Sequence, residues 1–243
     1  MDIILYFAAA AIVLVSQLWV KSAYAKYSEI PTERNYTGAQ VARMILERNG
    51  LYDVKVQQVS GSLSDHYNPK NRTVNLSAEV YNGTSVAAVS ISSHECGHAI
   101  QHATQYAGIK ARDAILPVAQ ISSTLGWTVL MIGLFMGVGS ATGGVLFTIG
   151  LVMLLVIVAF QVITLPVEFN ASSRALRILD EYGIVDEDES SMAKSMLTAA
   201  ALTYVASLAS TVLNVVRILA ATNRRDDRFV YGRRFCNRRS IVY

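Results

Sequence analysis

Residues 93–102 read SHECGHAIQH, and the organisation of the chain can be worked out from this stretch outward. His94, Glu95 and His98 form an H-E-x-x-H. Residues four apart on an α-helix share a face about one turn apart, so two imidazoles at this spacing can hold one metal ion. Glu95, beside the first of them, is placed to take a proton from water at the metal. The rival reading is a chance pattern on an ordinary amphipathic helix. The chain has only four histidines, and two of them at this spacing around a glutamate favour the metal.

Composition says where such a helix resides. Of 243 residues, 52% are hydrophobic and 16% charged, and the mean hydropathy is +0.35. Soluble domains are about a quarter charged, so this balance points to a membrane. The net charge is only +3, but seven arginines fall between Arg224 and Arg239. Such a run suits a cytoplasmic tail, acidic lipid or nucleic acid. It directly follows an apolar segment, which favours the lipid bilayer as partner and gives no reason to expect nucleic acid. Cys96 and Cys236 are too few for a disulfide framework. Cys96 lies off the ligand face, since successive helical side chains diverge by about 100°, and reads as helix packing.

In chain order, 3–20 is an apolar run interrupted only by Ser16 and Gln17, near the lower limit for a span. Ala23-Tyr24-Ala25 resembles a cleavage site, yet the preceding residues lack the positive charge of a signal peptide. We read 1–20 as a membrane anchor. Residues 21–115 are polar enough for a small catalytic domain. Thr37 and Gln40 form a capping box before a helix that Gly50 stops. Val54, Val56 and Val59 suggest a strand, and 68–71 is a turn before a second strand at 73–76. A strand just ahead of the H-E-x-x-H helix can pair with an extended peptide by edge addition. The helix itself is placed at 85–106, apolar in its first half and polar in its second, as if its end emerged from a core. Residues 116–165 read as a transmembrane hairpin turning at 139–144, with Pro117 and Pro166 at its ends. Residues 166–195 are a further helix and an acidic linker. A fourth apolar helix at 196–221 and a basic tail at 222–243 follow. The expected fold is a mainly α membrane protein, with transmembrane helices and a small α+β zincin-like catalytic domain.

Zinc in a hydrolase usually takes three protein ligands and one water. His102 is eight residues past His94, about 12 Å along a straight helix, which ligand bonds of about 2 Å cannot span. The metzincin spacing would need glycine at 101 and histidine at 104, where this chain has Gln101 and Thr104. The hairpin returns Glu168 to the side of the H-E-x-x-H helix, making it the favoured third ligand. Its other reading is an acid favoured by a helix N-terminus. His66, by default a surface-loop histidine, is also a candidate for the oxyanion of a tetrahedral intermediate.

Several stretches carry a family resemblance. Residues 61–69 (GSLSDHYNP), 85–89 leading into 94–101, 165–169 through Ala171, Ser172, Arg174 and Ala175, and 199–205 closely resemble the YugP-like neutral zinc metallopeptidases. The likeness runs from about Tyr24 to Arg225. It implies a membrane-embedded zinc peptidase with its H-E-x-x-H at His94, Glu95 and His98. More remotely, 168–172 resembles the E-x-x-A-D of HtpX-type membrane gluzincins, whose glutamate is the third zinc ligand and whose aspartate supports a ligand histidine. Ser172 stands at that aspartate's place, so the resemblance implies weaker support, or support from Asn170 or Asp65.

The expected activity is zinc-dependent hydrolysis of a peptide or protein substrate. His94, His98 and Glu168 hold Zn2+, Glu95 is the general base, and His66, Tyr204 and Arg174 are candidates for the oxyanion. A site-2-type intramembrane protease is disfavoured by the polar half of the 85–106 helix and by the lack of an L-D-G-type aspartate motif. A metal-stabilised scaffold or chaperone partner is disfavoured because closed structural sites prefer four ligands, often cysteines. Lys21, Lys26, Lys110, Arg112, Arg174, Arg177 and Lys194 flank the spans on the catalytic side. They favour a cytoplasmic catalytic domain if 196–221 lies over the site instead of crossing; if it crosses, the arginine run at 224–239 falls on the opposite side, and both cannot be inside. The protein is expected to be multi-pass in the plasma membrane. The sequence leaves oligomeric state open.

Overall fold

Every long apolar run lies in a long helix. The computed structural model describes residues 2–239, with the side chains of 3–222. Its elements are α1 (Asp2–Ser28), α2 (Gly38–Arg48), β1 (Lys55–Val59), β2 (His66–Asn68), β3 (Thr73–Ser77), α3 (Ala78–Asn82), α4 (Val86–Ala103), α5 (Ala107–Met136), α6 (Ala141–Glu181) and α7 (Glu187–Arg239). Helices α1, α5, α6 and α7 are each long and apolar enough to cross a membrane. The protein is a mainly α membrane protein with one three-stranded sheet. The side chains of the basic tail and Cys236 lie outside the described residues.

The two prolines expected to end helices lie inside them, Pro117 in α5 and Pro166 in α6. Each withholds a single backbone N–H, and that one loss does not stop either helix. Helix α6 therefore runs unbroken from its apolar half into the segment that holds Glu168.

The chain packs as two compact units. One takes α1 up to Val13, Pro117–Ala159, and α7 from Ser207 onward. Its core includes Leu130, Phe147, Leu154, Val215 and Ile218. A Cβ on Gly150 would lie 2.5 Å from the backbone nitrogen of Leu130, so α5 and α6 touch as small residues allow in membranes. The turn between them is 137–140, shorter than the glycine-rich 139–144 suggests. Ser140 Oγ accepts the Gly143 N–H at 3.1 Å, and this cap starts α6 early.

The second unit takes Leu14–Leu116 and Phe160–Ala206. The Thr37–Gln40 capping box opens α2, and Gly50, at φ +73°, follows its end. Val41, Ala42, Ile45 and Leu46 are buried on its inner face, in one core with Val86, Val89 and Cys96 of α4. Cys96 Sγ reaches the Ala42 carbonyl at 3.7 Å, so its thiol is turned into the α2–α4 core, where burial pushes its pKa up. Sheet order is β1-β3-β2, with β1 parallel and β2 antiparallel to β3. This corrects the expectation of an open edge at 73–76. Strand β3 is fully buried in the middle of the sheet, and the edge nearest α4 is β2, which the sequence reading took for loop. A second correction concerns α4, whose polar half does not emerge at Gln101. Burial continues through that residue, which is completely enclosed, and exposure begins only after it.

Candidate metal centre

Helix α4 begins at Ser85, whose side chain accepts the Ala88 N–H, and brings His94 and His98 to one face. Their rings meet edge to face with centroids 4.8 Å apart. Helix α6 supplies Glu168. His94 Nε2 and His98 Nε2 lie 3.4 and 3.6 Å from Glu168 Oε2, and the three residues offer ligand atoms within 4.8 Å of one another. Glu168 Oε2 is buried and has no hydrogen-bond partner. Such an orphan is costly unless something binds it. Ligand atoms about 2.0–2.1 Å from a tetrahedral ion are about 3.4 Å apart. The trio thus fits zinc in donor type, and the two histidine–Glu168 separations match its spacing.

The outer nitrogens of both imidazoles are occupied, and Nε2 of each is turned toward Glu168 Oε2. His94 Nδ1 is 3.1 Å from Ser172 Oγ. His98 Nδ1 donates to Gln101 Oε1 at 3.0 Å. Gln101 Nε2 then donates across to α6, to the Val167 carbonyl and Asn170 Oδ1. Support for the histidines therefore comes from Ser172 and Gln101. Asn170 acts through Gln101, and Asp65 is engaged elsewhere, accepting the N–H of Ser77 at 2.7 Å. The supporting role of Gln101 is not legible in the sequence, because a glutamine three residues past a histidine looks like ordinary helix surface. Burial alone would lower the His98 pKa, but Glu168 and Glu95 outweigh it and hold it above the ordinary value.

Backbone contact between the helices makes the centre possible. A Cβ on Gly97 would lie 2.8 Å from the carbonyl oxygen of Ala171. Gly97 lies between the two histidines in sequence and Ala171 just before Ser172, so this close contact falls beside the trio. Arg112 of α5 is the other residue the sequence did not single out. Its Nη1 is 3.8 Å from Glu168 Oε1, on the carboxylate oxygen that does not face the histidines.

Glu95 is buried beside the trio, and its Oε2 accepts the Tyr67 N–H of β2 at 2.8 Å. Glu95, His94, Glu168, Ser172 and Tyr204 line one cleft of about 180 Å³. The other two oxyanion candidates do not line it. His66 Nδ1 donates to the Ser64 carbonyl and its Nε2 accepts from Asn75. Arg174 Nε donates to Asn170 Oδ1. His102 faces Asp113, with 3.6 Å between Nε2 and Oδ2, away from the trio.

Known proteins give a concordant result. A family model described as "putative neutral zinc metallopeptidase" matches residues 2–223. The chain belongs to this family. Within reach of it is a Bacillus subtilis (strain 168) protein described as "putative membrane protease YugP", 41% identical over 226 residues, covering 93% of this chain and 98% of that protein. No solved structure gives a match. Membership in a zinc metallopeptidase family accords with the donor set of His94, His98 and Glu168.

Proposed function

We propose that this protein is a membrane-bound, gluzincin-like zinc endopeptidase. The observation that carries the reading is the buried, unpartnered Glu168 Oε2 facing two histidine Nε2 atoms, with Glu95 alongside. His94, His98 and Glu168 hold the ion. Zinc bound there supplies Lewis acidity, making water nucleophilic near neutral pH and polarising a peptide carbonyl. Glu95 Oε2 is held by the Tyr67 N–H, so Oε1 is the oxygen that takes the proton from water and returns it to the leaving amine. Tyr204 is favoured to steady the carbonyl oxygen, because it lines the cleft while His66 and Arg174 do not.

Zinc content and hydrolysis of an unfolded protein, measured together in detergent, test this. Glu95→Gln should keep its zinc and lose about 10²–10⁴-fold in rate. A variant as active as wild type would remove Glu95 as the base.

The basic residues flanking the other spans favour a plasma-membrane protein with its catalytic unit in the cytoplasm, provided that α7 does not carry the arginine run at 224–239 to the opposite side. In a Cys236→Ser background, a cysteine substituted for exposed Asn71 should resist a membrane-impermeant maleimide in intact cells and react after lysis. Labelling in intact cells would reverse the orientation.

A further inference from the structure

The same cleft has a second character, apart from its ionisable floor. Five residues of α7 line it, namely Met196, Leu197, Ala200, Ala201 and Tyr204. Their spacings of one, four, five and eight from Met196 place them on one helical face. Larger side chains stand at the two ends of this row and two alanines in the middle, so the helix surface is hollowed at Ala200 and Ala201. Val20 of α1 and Ile91 of α4 continue the apolar lining. Asp65 also lines the cleft, but its carboxylate is bonded to the Ser77 N–H and hydroxyl and does not offer a free counter-charge. The whole cleft, ionisable floor included, has a volume of about 180 Å³. An apolar cavity of about 150 Å³ takes a benzene-sized group.

We infer that this hollow is a specificity pocket for one apolar side chain, of leucine to phenylalanine size, adjoining the scissile bond, and that Ala200 and Ala201 set its depth. The inference rests on the zinc-peptidase reading and adds to it the class of residue at which cleavage occurs. A charged side chain entering the pocket would lose its hydration, and an acidic one would also face Glu95, Glu168 and Asp65, which line the cleft. Small side chains would leave the hollow unfilled.

The test compares leucine hydroxamate with glycine hydroxamate, two metal-binding probes that differ only in side chain, by calorimetry on the zinc-loaded full chain. The leucine probe should bind at least about tenfold more tightly. Ala200→Leu, with zinc content measured as a check on the fold, should reduce that preference to within about twofold, and Ala200→Val should give an intermediate value. In parallel, wild type should cleave peptides with leucine or phenylalanine beside the scissile bond faster than those with alanine, aspartate or lysine. Equal binding of the two hydroxamates, a preference unmoved in Ala200→Leu, or failure of both to bind would overturn the pocket. Peptide hydrolysis without side-chain preference would overturn the pocket while leaving the peptidase standing. A leucine preference in binding without hydrolysis of any peptide would sink the peptidase reading and leave the pocket.

Discussion

Glu168→Ala is expected to weaken zinc binding by about 10²–10³-fold. Four-ligand zinc sites bind with about 10–16 kcal/mol, so one ligand corresponds to roughly 3–4 kcal/mol. The remaining two histidines keep their supports in Ser172 and Gln101, so the loss reads the carboxylate rather than a collapse of α4. Elemental analysis under mild chelator competition gives the primary result. Thermal unfolding gives an independent one. At zinc 100-fold above its Kd the wild type should gain about 2.7 kcal/mol, and the variant at the same zinc concentration should gain almost none. Glu168→Gln separates charge from shape, and should resemble Glu168→Ala if ligation is what matters. Equal zinc in wild type and both variants would take Glu168 out of the site.

Gly97→Ala makes a second large effect visible, with a sign that helix propensity alone gets wrong. Alanine is better than glycine inside a helix by about 0.8–1.0 kcal/mol, so a substitution at an open position would stabilise α4. Here the new Cβ meets the Ala171 carbonyl oxygen at 2.8 Å and that residue's Cα and C at 3.3 Å. These are backbone atoms and cannot swing aside. Overpacking of this kind costs about 1–3 kcal/mol. The helices should separate by a few tenths of an ångström where His94 meets Ser172, and zinc affinity should fall at least about tenfold, as when ligand supports are lost. Zinc titration and thermal unfolding of wild type, Gly97→Ala and Gly97→Val check this, with the valine variant the worst. A more stable Gly97→Ala with full zinc affinity would mean that the close approach is not needed.

Much of this could be read from the chain because the signals are periodic and local. The apolar runs gave the four long helices, and the Thr37–Gln40 box gave the start of α2. The H-E-x-x-H fixed two members of the trio by helical spacing alone, and the returning hairpin suggested Glu168. What escaped was set by tertiary contact. Strand β2 is three residues long, too short for any alternation to show, and without it the order of the sheet was misjudged. Gln101 looks polar and therefore exposed. Its burial depends on a carbonyl and an amide 66 and 69 residues away, which no local pattern announces. Pro117 and Pro166 are breakers by local rule, yet both helices pass through them. Arg112 could be placed near a membrane boundary but not beside Glu168.

The two supports on the histidine rings bear on design. What the proposed centre takes from α4 lies in eight residues, 94–101, and what it takes from α6 in six, 167–172: ligands, ring supports, base and the backbone contact at Gly97. Outside these fourteen residues the site draws on the Tyr67 N–H at Glu95, on Arg112 of α5 beside Glu168 and on Tyr204 of α7 in the cleft. The proposed centre is thus built mainly from two short helical cassettes. What a host scaffold would have to reproduce is the distance between them, which one missing methyl group sets.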